Sequence, residues 1–340
     1  MGIIVRLNQQ RTDCPPKSDF TTPKNHYITF CQINNAIPLY LQAWWLDAVC
    51  ADGSWDVCLA YDDAEQIEGV LVYYFTQKKG FFSAIQMPVL TPHAGVWMRG
   101  MDDFMPRQHE VYEYKQRILE KLIAQLPETV LYQQNLHYSL TDCQPFYRHG
   151  FKAETHYSYI LEDINDLETV YDNMSDSTRR DIRKAEKDLV FGFCDDFEVF
   201  IQMVNKINLK QKVELNFDVE VFEKLDKQLT VKGLRKMYIA FDTEGVPHSA
   251  IYIVYDSTSA HYLFGVSDSE KQGGGATSLL LWQAIQDASN SGLDLFDFEG
   301  GMHSNEAFIF QNLNAIQKPF FKITKARNRF YELFLCQHVD

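Results

Sequence analysis

The sequence predicts an α/β protein made of two consecutive domains, each with a mixed β-sheet flanked by helices. Three observations predict this class. Short stretches of alternating apolar residues, typical of strands, are interspersed with longer stretches of helical periodicity. The same order of elements occurs in both halves of the chain, which indicates internal duplication. A glycine-rich segment, 267–275, separates a strand from a helix in the second half.

The domain boundaries follow from this duplication. We expect a loose leader over residues 1–26, a first domain over 27–160 and a second domain over 161–335. The leader contains Pro15 and Pro16 and has little periodicity, which is typical of poorly ordered termini. We expect the two sheets to have the same topology and to pack side by side, with a cleft between them.

The first half supplies a helix, three strands, a long helix, a strand, a short helix and a closing strand. These elements are expected at Leu39–Cys50, Trp55–Tyr61, Gly69–Thr76, Phe81–Met87, Arg107–Leu126, Thr129–Gln134, Asp142–His149 and Phe151–Leu161. Between the third strand and the long helix lies the segment 88–95, which contains no phosphate-binding pattern.

The second half begins with a polar helix, a short strand and two more helices, and then repeats the order of strands and helices seen in the first half. These elements are expected at Asp166–Asp188, Val190–Cys194, Phe197–Gln211, Val219–Val231, Arg235–Phe241, His248–Tyr255, His261–Val266, Ala276–Asn290, Leu293–Phe298, Asn305–Leu313 and Pro319–Thr324. The glycine-rich segment therefore lies between the third strand of the repeated pattern and its long helix.

The glycine-rich segment has the features of a phosphate-binding loop. Glycines admit close approach of the backbone, and the unpaired N–H groups of the following helical turn point at an anion. The segment lacks both G-x-G-x-x-G and G-x-x-x-x-G-K-[ST], so dinucleotide and P-loop nucleotide binding are not favoured. It contains instead the sequence Lys271-Gln-Gly-Gly-Gly-Ala276. This pattern favours a bound pyrophosphate.

Composition excludes several classes of function. A net charge of −14 argues against a DNA-binding protein, because phosphate neutralisation requires an extended basic surface. The sequence contains no apolar run of the ~18 residues that a membrane span requires. The seven cysteines are scattered without a C-x-x-C pair, so disulfides and zinc sites are not expected. We therefore expect a cytoplasmic protein without a metal cofactor.

Several local patterns resemble the Fem family of GNAT-superfamily acyltransferases. The Lys271–Ala276 segment resembles the loop with which GNAT enzymes hold the pyrophosphate of coenzyme A. Residues Ser177–Lys187 are similar to the family's Arg-x-x-Arg-Lys-Ala helix, and Phe296–Gly300 is similar to its Asp-Phe-x-Gly strand end. Phe308 and Phe310, followed by Lys322, are similar to its closing segment. The resemblance covers about residues 27–335.

The resemblance implies two tandem GNAT-like domains and an N-acyltransferase that uses acetyl-CoA or another acyl-CoA as co-substrate. The donor site would lie in the second domain. The first domain would be a copy that has lost donor binding and shapes the site of a small-molecule or peptide-like amine acceptor. The implied donor-binding residues are Val266, Lys271, Gln272, Gly273, Gly274, Gly275 and Ala276.

Two alternatives remain open at this point. A Fem-type enzyme would transfer an amino acid from aminoacyl-tRNA to a nucleotide-sugar precursor of peptidoglycan. A non-catalytic duplicate would only bind a ligand. The chain departs from the family in having Leu313-Asn-Ala315 after the short helix, where Phe-Gly is usual. It also lacks the heptads of the coiled-coil arm that some Fem enzymes carry, which makes tRNA the less expected donor.

Candidate catalytic residues cluster after the strand that ends near Phe298. Transfer to an amine requires a proton acceptor, and Asp297, Glu299 and His303 are the candidates at this strand end. Each has a structural alternative as a cap or a loop-stabilising side chain. Tyr262 is a weaker candidate proton donor, because strand tyrosines usually belong to the core.

The predicted polar helix contains a cluster of basic residues. Arg180 and Arg183 have the spacing of a bidentate anion clamp for the donor or the acceptor. The alternative is a solvated helix face on which these arginines pair with neighbouring acidic residues.

Overall fold

The computed structural model describes residues 15, 17, 20–34, 36–50, 53–78, 82–100, 107–211, 215, 217–268, 275–300 and 304–336. Within these residues the strands are β1 Ser54–Tyr61, β2 Ile67–Lys78, β3 Phe82–Gln86, β4 Val96–Met98, β5 Leu131–Asn135, β6 Lys152–Glu162, β7 Val190–Phe193, β8 Arg235–Phe241, β9 Pro247–Tyr255, β10 Ser259–Ser267, β11 Leu295–Asp297 and β12 Ile316–Ala326. The helices are α1 Pro23–Ile33, α2 Ala43–Val49, α3 Gln108–Ile123, α4 Gln144–Arg148, α5 Leu167–Asn173, α6 Asp176–Asp188, α7 Phe197–Gln211, α8 Val219–Lys232, α9 Ala276–Asn290, α10 Ser304–Asn312 and α11 Arg329–Cys336, with a 3₁₀ turn at Leu39–Leu41.

All twelve described strands belong to one mixed sheet, in the order β1-β2-β3-β5-β12-β6-β11-β10-β9-β8-β7, with β4 pairing β2 beside this path. The series β1-β2-β3-β5 and β8-β9-β10-β11 have the same pairing pattern, in which only the last pair is parallel. The predicted repetition of element order is therefore present in the sheet. The expectation of two separate sheets side by side is wrong.

The sheet is continuous because the two halves exchange their closing strands. Strand β6, from the first half, pairs with β11 of the second half, and β12 pairs with β5 of the first. The two exchanged strands also pair with each other, from Ile316 opposite Ile160 to Thr324 opposite Lys152. The predicted boundary between residues 160 and 161 falls inside β6.

Helices cover the two faces of the sheet differently. On the outer face, α3 packs on the first half and α6 and α9 pack on the second. On the inner face, α1 and α2 share one apolar core with α7 and α8, and α2 contacts α8 directly. This core also includes residues of β1, β2, β8 and β9, so it joins the two ends of the sheet. The centre of the inner face, over β6, β11 and β12, lies between them.

Several local features differ from the sequence-based expectation. The helix expected over Leu39–Cys50 is a 3₁₀ turn at Leu39–Leu41 followed by α2. The helix expected over Asp166–Asp188 is two helices, α5 and α6, because the side chain of Ser175 accepts from the N–H of Thr178 and starts a new helix. Strand β4 and helix α11 were not expected. Helix α1 begins at Pro23, inside the expected leader, and is capped by Thr22. Residues 1–14 of that leader lie outside the described residues.

Helices α7 and α8 follow β7. They are 15 and 14 residues long, and both bury apolar side chains in the inner core. They therefore pack on the sheet and do not project from it. Among the helices of the described ranges, none combines the length and apolar character needed to cross a membrane.

Candidate active site

Strands β10 and β11 separate in the second half and leave an opening at the end of β11. They pair in parallel only from Ser259 opposite Leu295 to His261 opposite Asp297. Strand β11 ends there, whereas β10 continues to Ser267 with a bulge at Leu263. Beyond the bulge, one edge of β10 is paired with β9 and the other edge faces the opening. Backbone N–H groups on that free edge can donate to a carbonyl oxygen placed in the opening.

The N-terminus of α9 lies behind the end of β10. Its N-cap is Gly275, whose φ of 71° is in the left-handed region. The first turn of α9 contains no acidic residue, and none of the described side chains caps it. The hydroxyl of Ser249 donates to the carbonyl of Val266 and hydrogen-bonds Thr277, which fixes the end of β10 to α9. The helix N-terminus is therefore a suitable anion site, and Val266 lies beside it as expected.

Helix α6 contacts this helix N-terminus directly. A Cβ atom added at Gly275 would overlap the backbone carbonyl group of Asp181, so the glycine permits the contact. Arg180 and Arg183 flank Asp181 along the chain and are exposed, and within the described ranges neither forms an ion pair. Arg179, in contrast, pairs with two aspartates. Helix α6 with its basic residues therefore lies beside the N-terminus of α9. Residues Lys271–Gly274 of the predicted phosphate-binding loop lie outside the described residues.

A buried cluster of ionisable side chains lies on the inner face, where β11 ends. At its centre is Glu299, whose side chain is 3% exposed. Oε1 of Glu299 accepts from the hydroxyl of Tyr40 at 2.8 Å and lies 2.6 Å from Nδ1 of His261. Oε2 of Glu299 lies 3.2 Å from Nε2 of His93. Tyr40 and His93 belong to the first half, so both halves build the cluster.

His261 bridges two carboxylates. Its Nδ1 faces Glu299 and its Nε2 lies 3.2 Å from Oδ2 of Asp256. Burial alone would lower the pKa of His261, but hydrogen bonds to Asp256 and Glu299 outweigh it and raise the pKa well above the usual value. The pKa of Glu299 is correspondingly well below its usual range, because the hydrogen bonds from His261 and His93 outweigh its burial. At neutral pH the three groups form a carboxylate–imidazolium–carboxylate chain.

The spacing of this cluster also bears on metal binding. One ligand atom each from His261, Asp297 and Glu299 lies within 4.8 Å of the others, a distance that a divalent cation can bridge. A metal-binding histidine must offer a nitrogen lone pair. Both nitrogens of His261 instead face carboxylates. The cluster therefore has the geometry of an ion-pair chain.

Asp297, the last residue of β11, differs from its neighbour Glu299. Its Oδ1 accepts from the hydroxyl of Ser158 and from the backbone N–H of Glu299, each at 2.8 Å. Its Oδ2 is buried and meets no donor in hydrogen-bonding geometry within the described ranges. Burial and next the negative charge of Glu299 raise the pKa of Asp297 to about 6. A carboxylate with this pKa and an unused oxygen is suited to accept a proton near neutral pH.

The remaining part of the inner-face centre is polar as well. His156, Ser158 and Lys322 lie there on β6 and β12, at alternate positions that a core would fill with apolar side chains. Lys322 is 8% exposed. The burial of His156 and next the positive charge of Lys322 lower the pKa of His156. The ring of Phe320 lies 4.8 Å from that of His93, perpendicular to it. This polar surface borders Asp297, which Ser158 contacts.

The first half lacks a corresponding opening because its own chain fills it. Strands β3 and β4 both pair with β2, and the chain leaves the sheet between them over residues 87–95, which we call the first-half insert. The insert is fixed where it meets β5, because Ala94 N–H donates to the carbonyl of Asn135 and the Asn135 amide donates to the carbonyl of Pro92. At the matching point of the second half, β10 has only its one-residue bulge. The insert contains His93 and places its ring next to Glu299.

The structure brings together only some of the predicted site residues. Asp297 and Glu299 lie side by side at the end of β11, where the backbone N–H of Glu299 donates to Asp297. Tyr262 lies on the outer face, over Gly265 and beside Phe310, away from the carboxylates. His303 lies outside the described residues. Five further residues of the cluster were not predicted from the sequence: Tyr40, His93, Ser158, Asp256 and His261. Of these, Ser158 and His261 lay in predicted strands.

The fold and the site together define the class of protein. In the second half, the sheet opens beside a helix N-terminus and a buried carboxylate lies at the end of β11. A family model described as "Acetyltransferase (GNAT) domain" matches residues 172–308. The second half therefore contains a GNAT-type acetyltransferase domain.

Solved structures show the fold over most of the chain. The crystal structure of FemX superposes with a TM-score of 0.58 at 12% identity, over 89% of this chain and 96% of that one. A tandem GNAT protein from the clavulanic acid biosynthesis pathway superposes with a TM-score of 0.50 at 10% identity, over 84% of this chain and 94% of that one. None of the curated proteins compared matches the sequence. The protein has a Fem-like, tandem GNAT fold.

Proposed function

We propose that this protein is an N-acyltransferase that moves an acyl group from acyl-CoA to an amine, with Asp297 as proton acceptor. The observation that carries the proposal is the position of Asp297, a buried carboxylate with a raised pKa at the mouth of the opening between β10 and β11. The helix N-terminus at Gly275 lies behind the same opening. Donor and acceptor would therefore meet at the end of β11.

The donor would enter beside α9. The N–H groups of the first turn of α9 would hold its pyrophosphate, with Lys271 and the glycines that precede Gly275 completing the loop. Arg180 and Arg183 would face the same phosphates from α6. The packing of α7 and α8 on the sheet favours coenzyme A over aminoacyl-tRNA, because these helices provide no projecting arm. The pyrophosphate site itself suits either coenzyme A or a nucleotide sugar.

The reaction would proceed on the inner face. The amine nitrogen would attack the carbonyl carbon of the thioester, whose oxygen would receive hydrogen bonds from the free edge of β10. A C–N bond forms, the C–S bond breaks, and the sulfur leaves as a thiolate that takes up a proton. Oδ2 of Asp297 would take the proton that the amine loses. An amine that arrives protonated must release a first proton to solvent before it attacks, so that the ionised Asp297 is free to take the second.

The acceptor would approach across the centre of the inner face. A small-molecule or peptide-like amine would pass His156, Phe320 and Lys322 before it reaches Asp297. The first half would contribute to this side, as the sequence predicted, because the first-half insert lines it with His93. A cytoplasmic location, where acyl-CoA is formed, is consistent with this proposal.

The proposal is tested by binding and by turnover. Calorimetry would compare acetyl-CoA, a uridine diphosphate sugar-peptide and charged tRNA as ligands of the purified protein. Release of free coenzyme A would then be followed with a panel of primary amines that includes amino acids, polyamines and amino sugars. Saturable binding of acetyl-CoA and amine-dependent release support the proposal. Binding of charged tRNA without binding of acetyl-CoA would contradict it.

Arg183→Ala is expected to weaken acetyl-CoA binding about tenfold, because a charge-assisted hydrogen bond contributes roughly 1.5–3 kcal/mol. Arg183→Lys should recover only part of the loss, since an ammonium cannot replace the planar fork of a guanidinium. Added salt should weaken wild-type binding more than that of the alanine variant. Lys187→Ala, which removes a charge from the last turn of the same helix, is the control. If wild type and Arg183→Ala bind acetyl-CoA with equal affinity and equal salt dependence, Arg183 does not bind the donor and belongs to a solvated helix face.

A further inference from the structure

Glu299 connects the two halves of the chain to the candidate proton acceptor. Its carboxylate faces Tyr40 and His93 of the first half and His261 of the second. Its backbone N–H donates to Asp297. Oε1 of Glu299 is engaged by Tyr40 and His261, and Oε2 lies 3.2 Å from Nε2 of His93. The pKa of this carboxyl is well below its usual range, so it is poorly suited to accept a substrate proton. Its contacts instead suit a residue that acts through its neighbour.

We propose that Glu299 is a positioning residue for Asp297, and that the first half of the chain holds Glu299 in place through Tyr40 and His93. This inference rests on the proposed function, in which Asp297 accepts the proton. It assigns a second task to the first half, whose own sheet opening is filled by the first-half insert. The first-half insert, which fills that opening, also contacts Glu299 of the second half through His93.

The backbone at Glu299 carries the first part of the argument. Its φ is +55°, in the left-handed region that residues other than glycine rarely occupy. This conformation turns the chain directly after β11 and directs the Glu299 N–H back onto Oδ1 of Asp297. Such a conformation persists only where surrounding contacts enforce it. The hydrogen bonds of the Glu299 side chain to Tyr40 and His261 are contacts of that kind.

The charges around Asp297 carry the second part. The groups that face it are Glu299 in the turn after β11, His261 on β10, Ser158 on β6, His93 in the first-half insert and Tyr138 in the loop after β5. Glu299 is the acidic neighbour among them, and a like charge nearby disfavours ionisation. Asp256 keeps His261 charged from its other side. Neutralising Glu299 would therefore remove the charge that opposes ionisation of Asp297.

The experiment uses the full-length protein and two readouts. Protein labelled with ¹³C at the aspartate carboxyls would be titrated by NMR, with the Asp297 signal assigned by its loss in Asp297→Asn. Release of coenzyme A from acetyl-CoA would be measured with an amine accepted in the panel described above. Glu299→Gln removes the charge and keeps the shape. Glu68→Gln is the matched control, because Glu68 is also buried and paired, with Arg117 and Lys121, away from the cluster.

In Glu299→Gln, the Asp297 carboxyl is expected to titrate at least about 1 pH unit lower than in the wild type. The pH at which turnover reaches half its maximum should fall with it. In Glu68→Gln both values should stay unchanged. An unchanged Asp297 titration in a folded Glu299→Gln protein would overturn the proposal.

His93 provides a second variant pair that keeps the proposal testable if Glu299→Gln does not fold. His93→Leu removes the ring nitrogen that faces Glu299, whereas the amide of His93→Gln places a donor near the same point. We expect His93→Leu to lower kcat about tenfold with the KM for acetyl-CoA unchanged, and His93→Gln to recover most of the loss. Equal kcat in His93→Leu and wild type would contradict the role of the first half.

The variants distinguish failure of this inference from failure of the proposed function. If Asp297→Asn transfers acyl groups as fast as the wild type, the assignment of Asp297 is wrong whatever Glu299 does. If Asp297→Asn is inactive but Glu299→Gln and His93→Leu match the wild type in titration and kcat, only the positioning role of Glu299 is wrong.

Discussion

Asparagine in place of Asp297 is expected to lower the rate of acyl transfer by about 10²- to 10⁴-fold, the range that proton transfer by a positioned side chain contributes. The amide has the shape of the carboxyl group and can still accept from Ser158, but it cannot take a proton from the amine. Acetyl-CoA affinity should change little, because Asp297 lies on the acceptor side of the opening. The rate of coenzyme A release and calorimetry measure the two quantities separately.

The role of Asp297 also predicts how turnover changes with pH. A carboxyl group with a pKa of about 6 accepts protons only when it is ionised, so wild-type turnover should rise as the pH passes upward through about 6. The rise should be missing from the residual activity of Asp297→Asn. Asp62→Asn, which removes a surface ion pair with Arg99 in the first half, is the control and should retain the wild-type profile. A rise of the same size and midpoint in Asp297→Asn would assign it to another group.

The same pKa predicts an effect on stability. The pKa of Asp297 is raised in the folded state from an ordinary value of 3.8 to about 6. Between these two values the folded protein binds more protons than the unfolded chain, so the contribution of Asp297 to stability falls as the pH rises through this window. Asp297→Asn should remove that contribution, and denaturant unfolding at pH 4 and pH 7 would measure the difference.

Gly275→Ala is expected to weaken acetyl-CoA binding by at least about tenfold and to destabilise the protein by about 1–3 kcal/mol, the range reported for backbone strain and overpacking. The residue has a φ of 71°, and a Cβ atom would lie 2.7 Å from the carbonyl carbon of Asp181. Helix α6 would have to move away from the N-terminus of α9, and both walls of the pyrophosphate site would be displaced. Calorimetry and thermal unfolding would measure the two effects.

Gly233 offers a matched control for this substitution. It also has a left-handed conformation, with a φ of 66°, but a Cβ atom there would meet nothing within 4 Å. Gly233→Ala should therefore show only the conformational cost and should leave acetyl-CoA affinity unchanged. If both variants bound acetyl-CoA as the wild type does, the N-terminus of α9 would not be the donor site.

Much of the fold could be predicted because its signals are local. Helix α9 has the predicted bounds, Ala276 to Asn290, because a glycine-rich segment precedes it and Ser291-Gly292 follows it. The repetition of the strand order could be predicted from the sequence for the same reason. The exchange of β6 and β12 was not, because either closing strand has an alternation that fits either half, and tertiary packing selects the partner.

The candidate site could be predicted only in part. Asp297 and Glu299 follow a predicted strand that lies beside another, so their proximity to the opening was readable from strand order. Tyr40 and His93 both lie more than 200 residues away along the chain, and nothing in their local sequence indicates a carboxylate partner. The left-handed turn at Glu299 was equally hidden, because that conformation ordinarily indicates glycine or asparagine.

The exchange of closing strands has a consequence for how the chain folds during synthesis. Strand β5 is complete early, but its partner β12 is made nearly two hundred residues later. Pairings that distant in sequence carry a large loop-closure cost and form slowly. Until β12 arrives, the edges of β5 and β6 that it will cover remain open, and unpaired strand edges are templates for aggregation. The first half therefore cannot complete its sheet until the last part of the second half has left the ribosome.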